Sequence, residues 1–555
     1  MLEGYPHGRT STQNSSMTRL EVKNSDERSL ESSPGVLRIT KLPLGESQKD
    51  QRMSSSPSEN VHTDAETPDS GLERAVSRVP TLSKTRAIAF TTIVILTQLV
   101  QMMDFGSGIV SASIIGNALG VTPAQAAWIA SSYPLTQGSF VLVSGRLGAV
   151  FGHKKLLTIG CVWWVFWNMA TAAYGGTIIS VSIMRALAGI GGGLIVPNAV
   201  ALLTITFPPG KRRNLSLALF ASMGPVGGAG GCVIVGIFIQ WLHWTWLFFF
   251  LATLGLVVYG IALAIIEEDL PLDPSGSIDW VGSYLALSGL ILFNIVWNQA
   301  PVVGWGEPYE YILLIIAILH FALFILWEAK YANFPILPVD LWKAESFSAI
   351  TAVLFLIFMS LGIYLWYAAV FLLNIRNFSA VFLGCAWIPM AIFGVGAAFL
   401  AAWAVPRMPA QILVAVGCVG AVATNVLLAT TPAHQTYWAM FLPAMILVAF
   451  TGDMVFAAGQ IIASSGVARR HQGAAGSLIG MLFTYGMSTG LGFAGTVERY
   501  INPDGTNLLK GYRAAAYLGI GFAVGGLIID LLFVRMKKNT TEGWQGEDDE
   551  LNLSK

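Results

Sequence analysis

Between residues 85 and 536 the chain is a succession of long apolar runs separated by short polar breaks. A helix needs about 20 apolar residues to cross the hydrocarbon of a bilayer, and lipid offers no partner for an unpaired backbone group. Such a series of runs therefore admits one architecture, an all-α bundle of membrane-spanning helices. The runs lie near 88–110, 125–147, 156–175, 179–206, 215–239, 245–266, 280–299, 309–330, 346–370, 380–403, 410–430, 436–463, 474–496 and 513–535, which predicts fourteen spans. Composition agrees: 54% of residues are hydrophobic and 12% charged, about half the charge fraction of a soluble domain.

Alternating the spans from an inner start places Arg146, Lys154, Lys155, Lys211, Arg212, Arg213, Lys330, Lys343, Arg407, Arg469 and Arg470 on one side. Only Arg376, Arg499, Lys510 and Arg513 fall on the other. Basic loops face the cytoplasm, so both termini are expected there, in the plasma membrane or alternatively the vacuolar membrane. Residues 1–84 are Ser-rich, with too few large apolar side chains to offset the entropy of ordering. They read as a disordered cytoplasmic tail without a cleavable signal peptide, and 537–555 as a second polar tail. The formal net charge is zero, which gives no reason to expect a nucleic-acid partner. Cys161, Cys232, Cys385 and Cys418 all sit in apolar runs, without disulfide or metal-ligand spacing, and read as small packing residues. The chain has no G-x-x-x-x-G-K-[ST] stretch for direct ATP drive, no nucleophile–base pair and no loop large enough for a catalytic domain. Bundles of this kind move solutes; neither enzyme activity nor a cofactor is expected.

One span is weak by design. "LFASMGPVGGAGGCVIVG", 219–236, carries six glycines and Pro225. Each interior Gly costs about 1 kcal/mol relative to Ala and an interior Pro about 3. Small residues let helices approach closely in lipid, and Pro and Gly permit bending against neighbours. Two further stretches accompany it: "GRLGAVFGHKKL" from Gly145 to Leu156, after the second span, and "RALAGIGGG" from Arg185 to Gly193, in the fourth.

The loop stretch resembles the major facilitator signature G-x-L-a-D-r-x-G-r-k, with Gly145, Arg146, Gly152 and Lys154 in register and Ala149 at the position of its Asp. That departure puts the family's carboxylate latch in doubt, or means it is made otherwise. The fourth-span stretch looks like the family's R-x-x-x-G-x-G. "GPVGG", with Gly224, Pro225, Gly227 and Gly228, resembles the fifth-helix G-P-x-x-G-G of its exporters. "WLHWTWLFFF" at 241–250 is similar to the opening of the sixth helix, with Thr245 where Arg is usual. "GDMVFAAGQII" and "HQGAAGSLIGMLFTYGMSTGLGFAGTVE" resemble fungal fourteen-span drug:proton antiporters of the aminotriazole/boron-resistance type. The resemblance implies a six-helix bundle over 85–270, two added helices within 271–335 and a second six-helix bundle over 336–536. It implies proton-coupled export of a small molecule by a monomer, with uptake of a nutrient, ammonium, boron or a siderophore as the alternative. A non-transporting sensor signalling through its tail is a reading of another class.

Polar residues deep in spans are costly and mark functional candidates. Asp104, with Gln101 and Gln98 one and two turns before it, either carries protons or is a structural hydrogen-bonding acid. Arg185 either perturbs a nearby carboxylate or pairs with one structurally. Asp453, with Gln460 two turns on, either meets a proton or cationic substrate or pairs with a helix end. Gln101, Gln137, Asn198, Asn294, Asn425 and Gln460 are candidates for the substrate cavity, though most Asn side chains, Asn298 included, are expected to bond between helices. Tyr133, Trp366, Tyr367 and Tyr485 are expected to line an aromatic cavity or, more often, the interfacial belt. Glu267, Glu268 and Asp269 read as solvated charge. Asn377-Phe378-Ser379 is a glycosylation sequon close to the membrane.

Overall fold

A computed structural model describes residues 83–207, 211–404, 407–465, 467 and 471–535. Apart from Ser83 and Lys84, the expected tails lie outside the described residues, as do Arg469 and Arg470. The helices are α1 (Lys84–Ala118), α2 (Pro123–Phe151), α3 (His153–Tyr174), α4 (Ile178–Thr206), α5 (Lys211–Trp241), α6 (Thr245–Ile265), α7 (Trp280–Val303) and α8 (Pro308–Lys330). They continue with the short α9 (Val339–Lys343), then α10 (Phe347–Asn374), α11 (Ala380–Cys385), α12 (Ile388–Ala404), α13 (Ala410–Thr430), α14 (Tyr437–Ser465), α15 (Gln472–Ile501) and α16 (Leu508–Phe533). The expected span 380–403 is thus two helices, α11 and α12, broken at Ala386-Trp387. The Gly-rich α5 runs unbroken through Pro225.

Thirteen spans meet both the length and the apolarity of a membrane helix, with α11 and α12 taken together as one. The fourteenth, α2, has 29 residues, about 44 Å at the helical rise. It is more polar because Ser131, Ser132, Thr136, Gln137, Ser139 and Ser144 lie on it, and all six are buried. Polar groups inside a bundle bond to neighbouring helices rather than face lipid.

The alternation puts the start of α1, the α2–α3 turn and the α6–α7 loop on one face, called near below; the α1–α2 loop lies on the far face. Arg86 reaches Glu267 at 2.6 Å, and Ser346 bonds the backbone of Arg535, so contacts on the near face confirm the order. The far-face arginines, exceptions to the charge bias, all cap chain ends. Arg499 donates to the carbonyls of Pro301 and Val302, each at 2.7 Å, at the end of α7. Arg513 donates to Thr431 after α13 and Arg376 to Ala433, each at 3.2 Å. A cation at a helix C-terminus meets the negative end of the dipole and its unpaired carbonyls.

Helices α1–α6 pack among themselves, as do α10–α16. Two main seams join these bundles, α2 against α15 and α5 against α11 and α12, with a lighter contact of α1 on α10, while α7 lies against α15 and α2, and α8 packs on α7. The bundles meet tightly in the far half. Val100–Ser113, Ile129–Ser139, Ile357–Leu372 and Thr484–Gly492 are buried on every side. Phe105, Ile109, Leu365, Trp366 and Leu491 close there on a void of ≈ 10 Å³, about one water's room. In the near half a stripe of α14, Asp453, Phe456, Gln460 and Ser464, stays part-exposed, as does the stripe Gly473, Gly476, Gly480 and Phe483 of α15. These stripes face each other: Phe456 meets Phe483 edge-on at 5.6 Å, and Gly476 lies opposite Gln460.

Glycine makes the seams possible. A Cβ on Gly106 would collide with the Gly228 carbonyl, and one on Gly227 would sit 2.6 Å from the Met102 Cβ. Gly236 and Gly384 bring α5 and α11 together, and Pro225 fills the space over Gly394 of α12. A Cβ on Gly224 would meet nothing within 4 Å. Gly106→Ala is therefore expected to destabilise the solubilised protein by about 1–3 kcal/mol, and Gly224→Ala to change it by less than about 0.5 kcal/mol. Thermal melting in detergent reads both, and equal melting of the two variants would refute the close α1–α5 contact.

Candidate functional site

The fourth span brings Arg185 into the middle of the first bundle, where it is 1% exposed. Its Nη1 donates to Asp104 Oδ1 at 2.8 Å, Nη2 to the Asp104 carbonyl at 3.2 Å and Nε to the Ile129 carbonyl at 2.8 Å. Asn168 of α3 donates to the other carboxylate oxygen, Oδ2, at 3.1 Å. Asp104 is 0% exposed. The guanidinium also lies over the rings of Tyr133 and Phe248, 5.5 and 5.7 Å from their centroids. The Tyr133 hydroxyl accepts from Gln101 and from Trp164, each at 3.2 Å. Five helices, α1, α2, α3, α4 and α6, thus meet at one charge pair. Its attraction is strong because no water screens it, and each partner is what makes the other tolerable.

Glycines clear the ground for it. A side chain on Gly108 would occupy the place of Arg185 Nη2. On α4, Gly189 and Gly193 lie against the α2 backbone and Gly191 against α3 at Gly160 and Trp164. The run after Arg185 is therefore the close-packing surface that draws α2 and α3 around the pair. Asn168, Trp164 and Gly108 escaped the sequence reading. Two signals were present: Gly108 lies one turn from Asp104 on the same face, and Asn168 is a lone amide within "WWVFWNMA".

The other candidates lie elsewhere. Asp453 sits part-buried on α14 in the second bundle, with Oδ2 free of any hydrogen bond, and no bond joins it to Asp104 or Arg185. Gln460 lies two turns nearer the near face. Gln137 is buried with its Oε1 unpartnered. Asn198 is taken up between helices, donating to Ser144 at 2.9 Å and standing 2.8 Å from His153 Nδ1. Asn294 donates to Thr489 and accepts from Asn298 and Ser488, tying α7 to α15. Asn425 donates to Ser360 at 3.0 Å.

Several expectations need correcting. Asp269 is not merely solvated: its carboxylate accepts from the backbone N–H of His153 and Lys154. Glu267 is paired with Arg86. Tyr367 is buried within the second bundle, and Trp366 and Tyr485 are buried where it meets the first bundle and α7, rather than placed in a belt. Cys385 is exposed at the end of α11, unlike the other cysteines. Asn377 is exposed at a left-handed φ of 54°, three residues past the end of α10 at Asn374. Among the described residues no group of His, Cys, Asp and Glu could hold a metal ion.

The Major Facilitator Superfamily model matches residues 94–491, more than two-thirds of the chain. The chain belongs to the major facilitator superfamily. Its relatives include the aminotriazole resistance protein of Saccharomyces cerevisiae, 33% identical over 76% of this chain and 79% of that protein. The low affinity ammonium transporter of the same yeast is 33% identical over 82% and 90%. The efflux pump terJ of Aspergillus terreus is 33% identical over 80% and 88%. The chain is a multi-pass membrane transporter of small molecules with the major facilitator fold, not an enzyme.

Removing one member of a buried pair strands the other, at a cost of about 3–5 kcal/mol. Arg185→Leu is expected to lose that much stability, and Asp104→Leu/Arg185→Leu to recover most of it. A double-mutant cycle on thermal melts in detergent measures this; additive losses would mean the two residues do not depend on each other.

Proposed function

We propose that this transporter exports a small organic molecule in exchange for protons, and that the Asp104–Arg185 pair is its proton switch. The observation that carries this reading is a charged pair held at the junction of five helices with water excluded. Ionisable groups inside a membrane bundle are costly and mark ion pathways. A proton arriving on Asp104 cancels the attraction to Arg185, which keeps the Ile129 carbonyl of α2 as its acceptor while α1 is freed to shift on α4. In the arrangement described here the pair is closed and the far half sealed, and we read it as the arrangement that exchanges substrate at the near face. With the near face cytoplasmic, as the basic loops imply, substrate enters between α14 and α15, where Asp453 offers an unpartnered carboxylate oxygen. Substrate binding opens the far half, substrate leaves, Asp104 takes a proton from outside, and the pair so broken lets the empty carrier return.

Export is supported by "GPVGG" at the α1–α5 contact and by the named efflux pump among the relatives. The ammonium transporter favours uptake as the second reading, and the direction of flux separates the two. In this account both termini are cytoplasmic, the membrane is the plasma membrane and the working unit is a monomer of two bundles, 85–270 and 336–536, with added helices within 271–335.

Proteoliposomes tested with 3-aminotriazole and an imposed pH gradient check the switch. Wild-type flux should follow the gradient. Asp104→Asn should lose gradient-driven flux by at least about a hundredfold yet keep exchange without a gradient, and Asp104→Glu should recover part of it. Flux indifferent to the gradient, or full gradient-driven flux in Asp104→Asn, would overturn the proposal. Asp453→Asn should weaken 3-aminotriazole transport at both faces without uncoupling what remains; unchanged transport would remove Asp453 from the path.

A further inference from the structure

The near-face segment between α6 and α7 is fastened to the α2–α3 turn at several points. Asp269 accepts from the N–H groups of His153 at 2.7 Å and Lys154 at 2.9 Å, the otherwise unpaired donors of the first turn of α3. Asp273 pairs with Arg146 at 2.9 Å, and its N–H donates to the carbonyl of Ala149 at 3.0 Å. Arg146 also donates to the Ser277 carbonyl at 3.1 Å, and its guanidinium lies 5.9 Å from the ring centroid of Phe334. Ser277 precedes α7 and Phe334 follows α8, so a single arginine of the first bundle touches the chain on both sides of the α7–α8 hairpin.

Toward the far face the same hairpin is held by the second bundle. Tyr485 donates to the Leu290 carbonyl at 2.8 Å, Asn294 donates to Thr489 at 2.9 Å, and Arg499 caps the end of α7. The hairpin is a strut with its near end on the first bundle; along its length α7 lies against both α15 and α2, where Trp128 donates to Gln299 at 3.0 Å. Position 149 carries Ala, which has no side-chain acceptor, and only its carbonyl takes part. The carboxylates at this turn come instead from residues 269 and 273.

We propose that the 267–279 segment is a clasp, with Arg146, Asp269 and Asp273 as its teeth, that holds the two bundles in the far-sealed arrangement. When the bundles rock, the near end of the strut has to leave the α2–α3 turn. Breaking the clasp therefore moves the population toward the far-open arrangement. Alternation of the bundles is required for this; protons as the driving ion are not, so this inference and the proton switch fail separately.

A cysteine at Leu365, buried in the far-half seal, reports the opening. The background is Cys385→Ala, because Cys161, Cys232 and Cys418 are buried. Labelling of Leu365→Cys by fluorescein maleimide in detergent should speed up at least about threefold in Arg146→Ala, Asp273→Ala and Asp269→Ala. The charge-swapped Arg146→Asp/Asp273→Arg protein should return toward the parent rate. Unchanged labelling in all three single variants, or a swapped pair that labels as fast as the single variants, would overturn the clasp. If an alanine variant unfolds, shown by labelling of Cys161 as well, the swapped pair and Arg146→Lys decide.

Discussion

A carboxylate and a guanidinium 2.8 Å apart, closed off from water, set the terms for the first bundle. Among the described residues Asp104–Arg185 is the one ion pair inside the spans; the other pairs lie at the near face. A lone charge there would be intolerable, so each partner obliges α1 and α4 to stay in register. Asn168, Tyr133 and the Ile129 carbonyl extend that obligation to α2 and α3. The pair is therefore both a structural keystone and a place where one proton changes the balance. These two roles are compatible, because a bond that positions five helices is also one whose loss is felt by all of them.

What the pair fixes in one bundle, small residues leave adjustable between bundles. Lipid tails give no hydrophobic drive to helix association, so contact has to come from close backbone packing. Helix α5 stands between α1 and the broken pair α11–α12, with Gly227 and Gly231 turned to one side and Pro225 and Gly236 to the other. Its backbone is poorly suited to standing alone and well suited to lying in two grooves. The amide network of Asn294, Asn298, Thr489 and Ser488 does the opposite work, holding α7 to α15 by directed bonds. The result is rigid units with slippery seams.

The spans, their alternation and the family could be read from the sequence because apolar length and the placement of basic residues are strong local signals. Arg185 and Asp104 stood out for the same reason: a charge within an apolar run is rare. Their pairing was open in the sequence, since residues 81 apart carry no local sign of contact. Asn198 and Asp269 show the limit most clearly. An amide in a span looks alike whether it lines a cavity or bonds to Ser144 and His153. An acid in a short loop looks solvated until the fold lays it across the start of α3. The break at Ala386-Trp387 went unread because both residues are as apolar as the span around them.

The central claim is that protonation of Asp104 frees the substrate-free protein to pass between the far-sealed and far-open arrangements. Spin labels at Asn117→Cys and Asn377→Cys, both exposed at the far face, in the Cys385→Ala background measure it most directly as a distance distribution against pH. The account predicts one short distance at neutral pH, a growing longer component as the solution is acidified, and that longer component at every pH in Asp104→Asn. A distribution that ignores pH in the wild-type residue background, or shifts identically with and without Asp104, would contradict it.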